Sequence, residues 1–354
     1  MLRFFTDPHL GRNATSHTTP ESRKKLDKAL AESALSITYT DQPILCLGDL
    51  FHSAHNSEST IAMGFLIAEQ CELVLEGNHD LPNRANTTSS IGLLAMSLDE
   101  DTTRFAACGV GNSNIVVKVI QGVKCVAVPH HSSQDLFDSA LKMAEAEGGE
   151  LLLLHCNYNT PFNEGIETSL NLSEAQAIEL AKHFDYIVIG HEHNHRWELD
   201  RKVLLLGNTH PTSFADISDK YYWDYDPSDK SWHKHMLWRK DTHYLKLRLE
   251  DVLDGNYQIK PEHRFIDIVG RVECSEESYQ LSTCIQHIWE SHDYLFMVRN
   301  HTIRMNLAEE LGDGLVSEIQ DGVSGNLKEV IHNMVKGTHM EEVFLNYVKD
   351  SEDD

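Results

Sequence analysis

The chain reads as an α/β sandwich of mixed sheets flanked by helices, followed by a smaller α+β unit. Three observations predict this. Over the first two hundred residues short apolar runs alternate with amphipathic stretches. The apolar runs are continuous rather than alternating in polarity, as strands covered on both faces are. Two places hold paired strands in succession, which a purely parallel sheet would not contain.

The elements follow in chain order. "LRFF" (2–5) is a first strand, and "PESRKKLDKALAESALS" (20–36) is a helix with proline in its first turn. "PILCLG" (43–48) and "CELVLEG" (71–77) are buried strands. "NIVVKVIQGVKCVAVP" (114–129) is a hairpin turning at "QG". "ELLLLH" (150–155) is a strand, 173–183 a helix capped by Ser173, and "DYIVIGH" (185–191) another strand. "RWELDRKVLLLGN" (196–208) is a second strand pair. After residue 240 the texture changes. "RFIDIVGRVE" (264–273) alternates, Leu281, Cys284, Ile285, Ile288 and Trp289 recur at helical spacing, and 294–306 is strand-like again. The expected organisation is therefore a main domain over 1–240, a strand–helix–strand cap domain over 241–322 and a helical segment over 323–354. Leu327, Val330, Ile331, Met334 and Val335 form one apolar stripe of that segment; Met340, Val343, Phe344 and Tyr347 form a second.

The chain has 354 residues, 41% hydrophobic and 24% charged, ample for a core. Its formal net charge of -25 weighs against binding a polyanion through overall charge, while leaving room for a local basic patch or a metal site. Seven cysteines form no CxxC pair. Cys46, Cys71, Cys125 and Cys156 lie in or beside apolar runs and read as small buried hydrophobes. The N-terminus enters a strand directly without a signal peptide, and no apolar stretch is long enough to span a bilayer. A soluble, cytoplasmic setting is the expectation.

The 22 histidines fall largely in short clusters, and five strands finish on residues suited to metal. "TDPH" carries Asp7 and His9, "GDLFH" Asp49 and His52, and "GNHD" Asn78, His79 and Asp80. "LLLLHCN" carries His155, and "GHEHNH" carries His191, His193 and His195. In an open α/β sheet, ligands bind beyond the carboxyl ends of the strands, so these clusters are expected to converge. Two metal ions need a carboxylate that bridges them, for which Asp49 is the natural candidate. Imidazole mixed with carboxylate and amide oxygen suits Mn, Fe or Zn better than Mg or Ca. Gly48, Gly77 and Gly190 allow close backbone approach beside the ligands, and Pro8 favours an extended Asp7. Asp80 reads as a helix cap or a partner orienting His79, and His195 as a supporting or solvent-facing residue. Cys156 should point away from His155. His130 and His131 in "PHH" read as a surface pair or a substrate-side loop, and "HKH" (233–235) as part of an aromatic-rich hairpin.

Taken in order, D-x-H, GD, GNHD, H and GHxH resemble the calcineurin-like metallophosphoesterase superfamily, over residues 7 to 193. "HLG" after the first motif, "GDLFH" as the second and "GNTHPTSFAD" (207–216) after the last resemble its SbcD-like DNA-repair nuclease branch; the compact length would suit a phage version. The resemblance implies a metallophosphoesterase β-sandwich flanked by helices, with a small α+β C-terminal cap domain. It implies one metal held by Asp7, His9, Asp49 and His193, and a second held by Asp49, Asn78, His155 and His191. Manganese is the first choice, with Mg, Fe or Zn as alternatives. His79 would contact the scissile phosphate as a catalytic residue. His52 would stand near the phosphate, unless it is only the first residue of a helix. The activity implied is exonuclease or endonuclease cleavage of DNA. The implied partner is an SbcC-like ATPase subunit in a DNA repair and recombination complex, within which the protein would be a homodimer, with no membrane association. A phosphodiesterase or phosphatase acting on a cyclic nucleotide or phosphomonoester is the rival within the superfamily. A non-catalytic scaffold of the same fold is the rival outside enzymes.

Overall fold

The computed structural model describes residues 1–12, 17–81, 88–98, 104–107, 114–160 and 170–304. Two six-stranded mixed sheets dominate. The first contains β1 (Leu2–Phe5), β2 (Ile44–Cys46), β3 (Cys71–Leu75), β4 (Phe105–Ala106), β13 (Lys220–Asp226) and β14 (Ser231–Trp238) in the order β14-β13-β1-β2-β3-β4. The second contains β5 (Val116–Ile120), β6 (Val123–Val128), β7 (Gly149–His155), β10 (Phe184–Gly190), β11 (Arg196–Glu198) and β12 (Val203–Leu205) in the order β11-β12-β10-β7-β6-β5. A two-residue parallel pair, β8 (Asn157–Tyr158) and β9 (Asn171–Leu172), lies beside them in sequence.

The pleat explains the apolar runs. Leu151 and Leu153 of β7 join Leu45 and Leu47 in a core with Phe4, Leu73, Val188 and Leu204, between the two sheets. Leu152 and Leu154, of opposite parity, pack with Phe137, Ala140 and Leu141 of α4 (Gln134–Glu147) and with Ala177 and Leu180 of α5 (Glu174–Leu180). On the other sheet Ile44 and Cys46 pack with residues of α1 (Pro20–Thr38), α2 (Glu58–Ala68) and α3 (Ser90–Leu98). Every central strand is thus apolar on both faces, and the layers run helix, sheet, sheet, helix. The expected class, strand pairs and helix starts hold. Thr19 caps α1 with Pro20 as its first residue, Ser173 caps α5 in a capping box, and Gln121 and Gly122 turn the first hairpin at positive φ.

The chain divides into two compact units. One comprises Met1–Lys246, Gln258–Asp267 and Trp289–Asn300; the other comprises Leu247–Tyr257, Ile268–Ile288 and the described residues from His301. The expected strand–helix–strand order is present as β16 (Phe265–Val272), α6 (Ser275–Ser291) and β17 (Met297–Arg304), and a three-stranded sheet runs β15 (Tyr244–Arg248), β16, β17. Leu281 and Ile288, seven residues apart, are the buried side of α6. The segment 323–354 lies outside the described residues. Among the described residues no helix is long and apolar enough to cross a membrane. Cys46, Cys71, Cys125 and Cys156 are buried free thiols.

Candidate metal centre

Parallel strands β1, β2 and β3 of one sheet and β7 and β10 of the other deliver the five motifs to one edge. Backbone hydrogen bonds knit the loops beyond the strand ends: Asp7 N–H donates to Gly48 O at 3.0 Å, and His9 N–H to Asp49 O at 3.1 Å. Asp7, His9, Asp49 and His191 all have positive φ, of 53, 47, 49 and 86°. Non-glycine residues pay about 1–3 kcal/mol each for such conformations, which persist at functional sites where the surroundings enforce them. The extended Asp7 expected from Pro8 is therefore incorrect. Tertiary bonds override the proline preference: Asp7 N–H donates to Gly48 O, and Asp7 Oδ2 accepts from His191 N–H at 2.9 Å.

The side chains form two adjoining groups around Asp49. Asp7, His9 and His193 make one, and Asp49, His155 and His191 the other. Asp49 Oδ2 lies 3.8 Å from His9 Nε2, and its Oδ1 lies 3.4 Å from His155 Nε2, so its two oxygens face the two groups. Asn78 Oδ1 completes the second group, 3.2 Å from His155 Nε2 and 2.9 Å from His191 Nδ1. A Cβ on Gly48 would fall on the His155 ring, and one on Gly77 would fall on the Asp49 carboxylate. Only glycine allows that approach.

The donor set fits divalent cations. His193 Nδ1 donates to Asp216 Oδ2 at 3.0 Å, which leaves Nε2 as a lone pair, 3.1 Å from His9 Nε2. His155 Nδ1 donates to Leu47 O at 2.8 Å, which turns its Nε2 towards Asp49 and Asn78. Asp7 Oδ1 is buried beside them with no hydrogen-bond partner. An unpartnered carboxylate oxygen and imidazole nitrogens crowded on one another and on the Asn78 oxygen suit a cation that takes nitrogen and oxygen together. Burial and neighbouring charge pull the titrations of these groups in opposite directions. Burial pushes His9 well below its ordinary value and His191 down to about 4. Burial would lower His155 too, but Asp49 outweighs it and raises the imidazole to about 9. Burial opposes ionisation of Asp49, and His155 more than compensates, holding the carboxyl well below its usual range.

His52, His79 and His9 form a third imidazole group at the same place. The rings of His52 and His79 stack at 5.0 Å and 23°, and His79 Nδ1 donates to His52 O at 2.8 Å. His79 is further held by its N–H on Asp49 Oδ1 at 2.9 Å. His52 lies in a bend ahead of α2, not in its first turn.

Every candidate ligand from the sequence is therefore at this edge. Asp80 is not a helix cap: it accepts from Gly77 N–H at 3.0 Å and Phe51 N–H at 3.0 Å, tying the "GNHD" loop to the "GDLFH" loop. Burial, then Asp49, raise its carboxyl to about 7. His195 packs instead on Tyr221, ring centroids 4.6 Å apart, and Cys156 joins the helix-side core. His130 and His131 are buried, not a surface pair. β6 lies inside its sheet beside β7, so His130 Nδ1 reaches His155 O at 3.2 Å. "HKH" lies in the hairpin strand β14, as expected. Sequence reasoning missed Asp216, in a segment it had noted only as a motif. It also missed Lys220, buried with Nζ on His193 O at 2.9 Å. A third was Arg12, part-buried, whose charge acts on His52 and whose Nε has no hydrogen-bond partner.

A family model described as calcineurin-like phosphoesterase matches residues 2–195. Among solved structures, the chain is similar to a metallophosphoesterase from Sphaerobacter thermophilus, at 13% identity, covering 72% of this chain and 91% of that one, with a TM-score of 0.33. No curated protein matches the chain.

Proposed function

Because the chain belongs to the calcineurin-like phosphoesterase family, metal-dependent hydrolases of phosphoesters, we propose that it is a manganese-dependent DNA nuclease of the SbcD-like branch. The observation that carries this reading is the stacked His52–His79 pair beside His9. A phosphodiester needs its leaving oxygen protonated or hydrogen-bonded, and an imidazole placed against the metal groups can do that.

Asp7, His9, Asp49 and His193 would hold one ion, and Asp49, Asn78, His155 and His191 the other. Bound there, the pair supplies positive charge against the phosphate and a more acidic water. The remaining work belongs to the chain. His79, with Nδ1 committed to the His52 carbonyl, keeps Nε2 for the phosphate and the departing oxygen. His52 fixes the plane of that ring. Arg12 adds a cation on the same side, suited to a neighbouring phosphate. Asp216 and Lys220 hold the His193 loop.

A net charge of -25 is poor for holding DNA unaided. An SbcC-like ATPase partner would supply the basic surface, with the apolar stripes of 323–354 as its docking segment and a homodimer as the working form. Deleting 325–354 should then abolish co-purification with the ATPase while small phosphodiesters are still hydrolysed. The same charge favours the second reading, a phosphoesterase for cyclic nucleotides or phosphomonoesters. Labelled single- and double-stranded DNA, assayed with Mn beside a cyclic nucleotide and a chromogenic phosphomonoester, separates the two. Turnover of the small substrates with intact DNA would sink the nuclease reading.

A further inference from the structure

At the opposite edge of the sandwich from the metal centre, an open pocket of about 350 Å³ is walled by Tyr186, Trp197 and Trp232 and edged by Arg201, Lys202 and Lys230. The three rings form a near-equilateral set, with centroids 5.8–6.2 Å apart and interplanar angles of 63–83°. Tyr186 lies near the start of β10, whereas His191 follows its end, so the pocket and the metal centre are separated by most of a seven-residue strand, roughly 17 Å.

The cations are held in place around the rings. Lys230 Nζ pairs with Asp185 Oδ2 at 2.6 Å, and Lys202 Nζ donates to Asp185 O at 3.2 Å. Tyr186 Oη donates to Lys230 O at 2.8 Å. The Arg201 guanidinium lies 5.1 Å over the Trp197 ring. Leu199, Asp200 and Arg201 are consecutive non-glycine residues at positive φ, 48, 49 and 65°. That conformation is costly, and it presents Arg201 and Lys202 together.

An aromatic set of this kind would suit a quaternary ammonium ion in isolation. Three cations at its edge, against Asp200 in the lining and Asp185 already paired, repel one. They favour a ligand with a flat π-face and a compact anion. We propose that this pocket binds one nucleotide, its base against Tyr186, Trp197 and Trp232 and its phosphate against Arg201, Lys202 and Lys230. The volume is at the low end for ligand pockets and has room for one nucleotide rather than a longer stretch. Free nucleotide and the terminal nucleotide of a strand share that chemistry. The inference does not rest on the nuclease reading, since it concerns a different edge.

The test is titration of the full chain with 5′-dAMP, in chelator so that the metal centre does not contribute, following quenching of indole fluorescence. Parallel arms use deoxyadenosine, inorganic phosphate and a short single-stranded oligonucleotide. Saturable quenching by 5′-dAMP is expected, with Arg201→Ala and the exposed charge reversal Lys202→Glu each weakening it by about tenfold or more. Hydrolysis of a small phosphodiester by both variants should be unchanged. Binding of the oligonucleotide, but not of free 5′-dAMP, with the same dependence on Arg201 identifies a strand end as the source. The proposal is overturned if neither nucleotide form binds, if phosphate alone binds as tightly, or if both variants bind like the parent chain.

Discussion

Asp216 Oδ2 accepts a hydrogen bond from His193 Nδ1 at 3.0 Å, and the same carboxylate gathers Thr212 N–H, Ser213 N–H and Asn208 Nδ2 at 2.8–3.1 Å. Burial opposes its ionisation, but His193 outweighs that and lowers the carboxyl far below its usual range. A permanent anion at this point fixes the His193 ring and its tautomer, so that Nε2 faces the first metal group. Asp216→Asn keeps the packing and removes the charge. Metal affinity measured by calorimetry should weaken about 10–100-fold, as when other carboxylate partners of metal-binding histidines are lost. Unchanged affinity would mean that His193 is not a ligand.

His79 belongs to neither metal group: its N–H is on Asp49 and its ring meets His9 edge-on, centroids 5.0 Å apart, with Nδ1 committed to the His52 carbonyl. His79→Ala should therefore leave both metals bound, while kcat falls about 10²–10⁴-fold, the range for a lost acid–base group. Metal content of the purified variant checks the first half and steady-state kinetics the second. Loss of metal would reassign His79 as a ligand.

Most of the layered fold was legible because two-sided burial leaves a plain mark: "ELLLLH" and "DYIVIGH" have no polar face to show. The candidate ligands were legible because the chemistry admits few residue types and the fold admits one edge for them. What escaped reading depends on tertiary neighbours. Pro8 speaks for an extended Asp7, and nothing local announces the Gly48 and His191 bonds that accompany its left-handed conformation. "PHH" is polar and looks exposed, and only the order of β6 beside β7 buries it. Asp216 acts on a histidine 23 residues earlier, across a 3-10 turn that Ser213 and Asp216 cap reciprocally. That pairing has no periodicity to detect.

Asp49 faces both metal groups and also receives the His79 N–H. A neutral amide cannot bridge two dications, and its NH2 would point a donor at one of them. Asp49→Asn should lower metal occupancy and abolish hydrolysis of a chromogenic phosphodiester. Full activity with two bound metals in that variant would remove Asp49 from the bridging role.

The two metal groups present imidazoles from His9, His155, His191 and His193 beside the carboxylates of Asp7 and Asp49 and the Asn78 amide. Magnesium binds nitrogen poorly and prefers an oxygen octahedron that retains water, whereas manganese accepts this mixture. The distances also speak against leaving the site bare. Two Nε2 atoms 3.1 Å apart and an unpartnered Asp7 oxygen are stabilised by a cation that takes nitrogen and oxygen together. Chelator should accordingly abolish hydrolysis, and Mn should restore it at lower concentration and to a higher rate than Mg. The measurement is a metal titration of the chelator-treated, dialysed protein against a chromogenic phosphodiester. Equal rescue by both metals would mean that the histidines do not enter the coordination shell, and the ligand assignment would fail with it.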